Sequence, residues 1–146
     1  LNTTYDNDRV IQSIELGSWE ILKEGSKICI LTFGSMIENT LKAAKSLNDV
    51  SITIVNCRFI KPLDNNLLNK LVKTHDYFIS IEEGIISGGF GSSILEYFNK
   101  NNINKKIEVL GIDDEFTTHG DRESLLELCN LDVNFIIKKI ERIIGE

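Results

Sequence analysis

Cysteine is too sparse and too scattered to build anything covalent. Cys29, Cys57 and Cys129 are the only three in 146 residues and form no C-x-x-C pair. That spacing excludes a disulfide framework and a zinc site of ordinary design, and fits a reducing compartment with all three thiols free. Long apolar runs are missing as well. The longest, such as Ile28 to Phe33 and Ile52 to Val55, fall far short of the ~20 residues that span a bilayer, which excludes a membrane-spanning helix. Excess positive charge is also lacking. Sixteen Lys and Arg against 22 Asp and Glu give a net charge of −6, which argues against a nucleic-acid partner. The opening Leu1-Asn2-Thr3-Thr4-Tyr5 shows no initiator Met, charged n-region or apolar h-region. No targeting segment is read there, and the chain is expected to be a piece of something longer.

What is present is a globular composition, 42% hydrophobic and 26% charged, at a length that suits one domain. Residues 1–13 are polar and aperiodic and read as a linker tail from an upstream domain; residues 14–146 read as the domain. Residues 18–22 alternate loosely and predict a short edge strand before the Glu24-Gly25-Ser26 turn. Lys27 to Phe33 is a near-continuous apolar run, the profile of a strand buried on both faces of a parallel sheet. Ser51–Val55, Tyr77–Ile81 and Ile107–Ile112 predict three more strands. Between them the spacing predicts a helix with Ser35 and Glu38 as a capping box and Ile37, Leu41, Ala44 and Leu47 as its apolar stripe. Asp64 caps a second helix carrying Leu67, Leu68, Leu71 and Val72. Phe90, Ile94 and Phe98 mark a third, and two final helices fall at about 121–129 and 132–144. Strands separated by helices of this length imply βαβ crossovers and a three-layer α/β sandwich.

Several clusters could carry chemistry, and each has a structural alternative. Gly88-Gly89-Phe90-Gly91-Ser92-Ser93 could cradle a phosphate at a helix N-terminus, but it is neither a P-loop nor a dinucleotide fingerprint, and close helix packing is the better reading. Glu82 and Glu83 are adjacent on a strand and so point to opposite faces; one should face solvent and the other cap a neighbouring turn. His75, after a helix, reads as structural. His119, in a loop with Asp113, Asp114 and Gly120, reads as fixing that loop by a hydrogen bond. Cys29 and Cys57 read as small hydrophobes. Arg58 and Lys61 could bind a carboxylate or phosphate, or pair with Glu82, Glu83 or a partner chain. No G-x-S-x-G elbow occurs. The residues themselves assemble no complete active site.

The order of motifs nevertheless resembles a known family. Ile14-Glu15-Leu16-Gly17, Phe33-Gly34-Ser35, Arg58-Phe59-Ile60-Lys61-Pro62-Leu63-Asp64, Ile81-Glu82-Glu83-Gly84 and Gly88-Gly89-Phe90-Gly91-Ser92 follow one another as in the C-terminal domain of the transketolase-like thiamine diphosphate enzymes. Arg58 to Asp64 is similar to the R-F-x-K-P-L-D form of the 1-deoxy-D-xylulose-5-phosphate synthases, as is the tail Gly111 to Phe116, His119-Gly120 and Leu128 to Asp132. Departures are Asp113 for a usual proline, Asn130 for a usual glycine, and Ser18-Trp19 for a usual Gly-Lys, all read as turn or surface changes.

The resemblance implies a mixed five-stranded sheet, mostly parallel with one antiparallel edge strand. It also implies a thiamine diphosphate and Mg²⁺ enzyme that joins pyruvate to glyceraldehyde 3-phosphate with loss of carbon dioxide. The G-D-G motif and the cofactor-activating glutamate are not in this chain, so no catalytic, cofactor-binding or metal residue is assigned to it and it is expected to be inactive and cofactor-free alone. Its expected partners are the upstream domains of the same subunit, in a homodimer, with no nucleic acid and no membrane. The setting is plastid (apicoplast) if the Ile-, Asn- and Lys-rich bias is apicomplexan and cytoplasmic if bacterial. Two alternatives stand beside this: the C-terminal part of an oxo-acid dehydrogenase E1 β subunit, and a stand-alone module binding a small ligand between Gly34-Ser35, Arg58 and Glu83.

Overall fold

The apolar runs become the strands of a single sheet. A computed structural model of the chain describes residues 13–114 and 119–145, so the linker expected over 1–13 lies almost wholly outside the described residues. The elements are β1 (Glu20–Lys23), β2 (Ile28–Thr32), α1 (Met36–Ser46), β3 (Ile52–Asn56), α2 (Asn65–Thr74), β4 (Tyr77–Ile85), α3 (Phe90–Lys100), β5 (Lys106–Ile112), α4 (Arg122–Leu128) and α5 (Val133–Gly145). The strand order is β1-β3-β2-β4-β5. β1 runs antiparallel to β3, and the other neighbours are parallel. This is the mixed five-stranded α/β sandwich expected from the sequence.

Alternation along the central strands sorts the core into two halves. Ile28, Ile30, Ile52, Ile54, Ile79 and Ile81 pack with Met36, Ala43 and Ala44 of α1 and Ile136, Ile140 and Ile143 of α5. Cys29, Leu31, Val55 and Phe78 pack on the other face with Leu68 and Leu71 of α2 and Phe90, Ile94 and Phe98 of α3. Every residue of β2 is buried, because β2 has strands on both sides and helices on both faces. Among the described residues no helix is long and apolar enough to cross a membrane.

Three local expectations need correction. The stripe of α1 that enters the core is Met36, Thr40, Ala43 and Ala44, while Leu41 is exposed; Thr40 fits there because its hydroxyl donates back to the Met36 carbonyl at 2.8 Å. The capping box does not form. Ser35 has helical φ/ψ and no side-chain cap, so its hydroxyl is not aimed at the α1 amides, and Glu38 pairs with Lys42 one turn on. β4 runs to Ile85, past the Ile81 end expected and past an irregularity in its pairing with β5, so Glu82 and Glu83 lie inside the strand.

The topology places one crevice. α1 carries the chain from β2 outward to β3 on one face, and α3 carries it from β4 outward to β5 on the other. The crossovers leaving the adjacent strands β2 and β4 thus diverge, opening the sheet at their carboxyl ends where α/β folds hold ligands.

Candidate functional site

The crevice holds Gly34 and Ser35 from the end of β2, Glu83 from β4 and Arg122 from the start of α4. Gly34 takes φ +59°, which turns the chain from strand into helix and favours glycine. The Ser35 hydroxyl donates to Glu83 Oε2 at 2.5 Å, and Arg122 Nη2 donates to the same oxygen at 2.7 Å. The guanidinium holds the Glu83 carboxyl below the ordinary carboxylate range, and Glu83 raises Arg122 in return. A carboxylate so stabilised is a poor base. It does not activate Ser35 as a nucleophile. A cavity of about 230 Å³ beside the pair is lined largely by apolar side chains, among them Ile112, Leu125, Leu126 and Leu131. Sequence reasoning missed Arg122. Its signal was position, since a cation in the first turn of a helix opposes the helix dipole and implies a partner elsewhere.

The second acidic residue answers the question posed by the glycine-rich loop. Glu82 is buried, and its two carboxylate oxygens accept from the Phe90 amide at 2.9 Å and the Gly91 amide at 2.8 Å. The α3 N-terminus is an anion site, and the protein's own carboxylate fills it. A Cβ at Gly89 would lie 2.3 Å from the Ile85 carbonyl and 2.6 Å from Glu82 Oε2. At Gly91 it would lie 2.4 Å from Val109 Cγ1. The glycines therefore serve close packing, and Glu82 and Glu83 divide as expected into one inward cap and one outward partner. A diphosphate does not fit a cradle already occupied. Nor is there, among the described residues, any group of three or more His, Cys, Asp or Glu placed to hold a metal ion.

The Arg58 to Asp64 motif is a clamp on the edge strand. Asp64 Oδ1 accepts from Leu67 N at 2.8 Å as the cap of α2, while Oδ2 accepts from Trp19 N at 3.0 Å. Trp19 Nε1 donates to the Phe59 carbonyl at 2.8 Å, and Pro62 packs against Gly17 so closely that a Cβ there would sit 2.9 Å from Pro62 Cγ. Trp19 is buried and meets Phe90 edge-on at 5.9 Å, so the Ser18-Trp19 departure is not a surface change: its indole is core. Arg58 pairs with neither Glu82 nor Glu83. It lies 3.7 Å from Glu20 of β1 and 3.5 Å from Ser18 Oγ, one strand away from the crevice, because β3 separates from β4 by the full width of β2. Lys61 is exposed.

The remaining candidates are structural or peripheral. His75 is buried at the end of α2, with Nε2 2.8 Å from Thr53 Oγ1. His119 is exposed; part of the loop it was expected to fix, 115–118, lies outside the described residues. All three cysteines are free, and burial pushes the Cys29 and Cys57 thiols up. Asn130 stands at φ +58°, a conformation that glycine favours and asparagine tolerates.

Comparison with known proteins closes on the same fold and motifs. Residues 17–136 match the family described as transketolase, C-terminal domain. The chain belongs to that family. It is 38% identical over 140 residues to 1-deoxy-D-xylulose-5-phosphate synthase of Geobacillus sp. (strain WCH70), covering 94% of this chain and 22% of the relative. It is 40% identical over 135 residues to the synthase of Pseudoalteromonas translucida, covering 92% and 21%. The chain thus spans about a fifth of the length of these relatives. Among solved structures it resembles a split-gene transketolase described as an inactive β4 tetramer, with TM-score 0.82 and 25% identity over 90% of this chain and 44% of that one. It shares its fold with a transketolase from Campylobacter jejuni at TM-score 0.64 and 18% identity, over 93% of this chain and 20% of that one.

Proposed function

We propose that this chain is the C-terminal domain of a 1-deoxy-D-xylulose-5-phosphate synthase and that its contribution is architectural. The whole enzyme would condense pyruvate with glyceraldehyde 3-phosphate on thiamine diphosphate and Mg²⁺ held by preceding domains, in a homodimer. The observation that carries this reading is the way the chain satisfies its own sites. Glu82 fills the glycine-rich N-terminus of α3, and Glu83 neutralises Arg122 in the switch-point crevice. A domain with its anion site and its crevice cation both internally paired supplies shape and rigidity, not reacting groups. The inactivity described for the related β4 tetramer of split-gene transketolase favours the same assignment. The relatives named above are bacterial, and three free thiols fit a reducing cytoplasm or plastid.

Calorimetric titration of thiamine diphosphate with Mg²⁺ into the 146-residue chain tests the reading. No heat of binding is expected up to millimolar cofactor. Saturable binding in the micromolar range would overturn it.

A further inference from the structure

We infer that the segment from Ile14 to Leu22, which leads into the antiparallel edge strand β1, is the surface that docks against the part of the polypeptide preceding this domain; the inference rests on the reading of the chain as a C-terminal domain. Four large apolar side chains stand in the open within nine residues: Ile14 at 56%, Leu16 at 73%, Ile21 at 39% and Leu22 at 37% exposure. The other exposed large hydrophobics among the described residues, Leu41, Ile60, Ile85, Leu95 and Leu128, lie singly on separate elements or loops. Ile21 and Leu22 are neighbours on a strand and so project to opposite faces of the sheet. Both are nevertheless exposed, because β1 packs substantially on β3 alone and neither helical layer reaches past it. A groove of about 670 Å³ opens beside Leu16 and Ile21, with Pro62 and Leu63 and the polar Asp64 and Lys70 also in its lining.

This edge is held rigidly in place while being left uncovered. The Trp19 indole, the Asp64 carboxylate and the Pro62 ring fix the segment from behind, so the exposed side chains are presented and not merely loose. The irregular pairing between Ile21 and Lys23 and the charges of Glu20 and Lys23 protect the strand from pairing with a stray strand. Contact through side chains is what remains.

The occupant follows from chain length and connectivity. The relatives are about five times as long as the matched region, and in a C-terminal domain the additional chain arrives through the residues just before Ile14. A tethered partner meets this edge at an effective concentration in the millimolar range, so a modest apolar patch suffices to dock it.

Hydrogen exchange on the protein with and without its preceding domains provides the test. Amides of residues 14–24 are expected to exchange at least tenfold more slowly in the longer polypeptide than in the 146-residue chain. Leu16→Asp combined with Ile21→Asp should abolish that difference, while Leu41→Asp combined with Leu128→Asp should preserve it. Side chains this exposed tolerate the change without unfolding, and circular dichroism of each variant verifies that. Equal exchange in the two polypeptides would overturn the surface while leaving the architectural role intact, since that role is judged by activity after domain removal. Protection that grows with concentration in the 146-residue chain alone would also overturn it, assigning the edge to a second copy.

Discussion

Replacing Glu82 by alanine should remove the keystone of the carboxyl end of the sheet. The carboxylate is buried and accepts two backbone N–H groups at the first turn of α3. Without it, the buried Phe90 and Gly91 amides lose their acceptors. Each stranded buried donor costs about 1–3 kcal/mol. Water entering the vacated space recovers part of that, so the expected loss is about 3–4 kcal/mol. With a urea m-value of about 2 kcal/mol/M for a chain this size, the midpoint should fall by about 1.5–2 M. Glu82→Gln keeps the shape and one acceptor oxygen but turns its NH₂ toward the other amide. It should fall by about half as much. Trp19 is the only tryptophan, and it packs edge-on against Phe90, the residue Glu82 holds, so its fluorescence reports both global unfolding and local loosening. If both variants unfold within about 0.3 M urea of the parent, the internal-anion account of the glycine-rich loop is wrong.

Gly91→Ala should cost about 1–3 kcal/mol by overpacking against Val109 and Ser80; an unchanged denaturation midpoint would refute the close-approach reading. Glu83 has its folded pKa lowered, mainly by the Arg122 hydrogen bond. Its contribution is therefore present above the ordinary carboxylate pKa and is lost as pH falls through the lowered folded value. The pair is half-exposed, so Arg122→Ala should cost under about 1 kcal/mol at neutral pH. In a carbon-detected titration the Glu83 carboxyl should move back up, and an unmoved midpoint would contradict the ion pair. A thiol reagent at neutral pH should modify Cys129 alone, with Cys29 and Cys57 reacting only after denaturation, because burial both shields them and holds them protonated. Three fast adducts would refute the packing of the strand thiols.

Features written in neighbouring residues were legible in the sequence. The burial of β2, the Asp64 cap of α2 and the Phe90, Ile94 and Phe98 face of α3 each follow from periodicity or a local cap, and the structure shows all three. The division of Glu82 from Glu83 was legible too, because strand alternation alone sends them to opposite faces. Their partners were not. Glu83 meets Arg122 across 39 residues and Ser35 across 48, distances over which no spacing rule operates. That Arg58 meets Glu20 and not Glu82 or Glu83 was illegible for the same reason, since only the strand order puts β2 between it and the crevice. Trp19 looked peripheral as part of a short edge segment, but its indole reaches back to Phe59 and Phe90. The α1 stripe is rotated from the one periodicity predicts because it includes Thr40, whose hydroxyl, bonded to its own helix, is at home in a core.

The central claim, an architectural and non-catalytic C-terminal domain of a deoxyxylulose-phosphate synthase, is tested most directly by dividing the enzyme. Synthase activity would be measured with the preceding domains alone, with the 146-residue chain alone, and with the two mixed or expressed together. The account predicts no activity from the 146-residue chain, little from the preceding domains, and recovery when both are present. Full activity of the preceding domains without this chain, or any turnover by this chain alone, would contradict it.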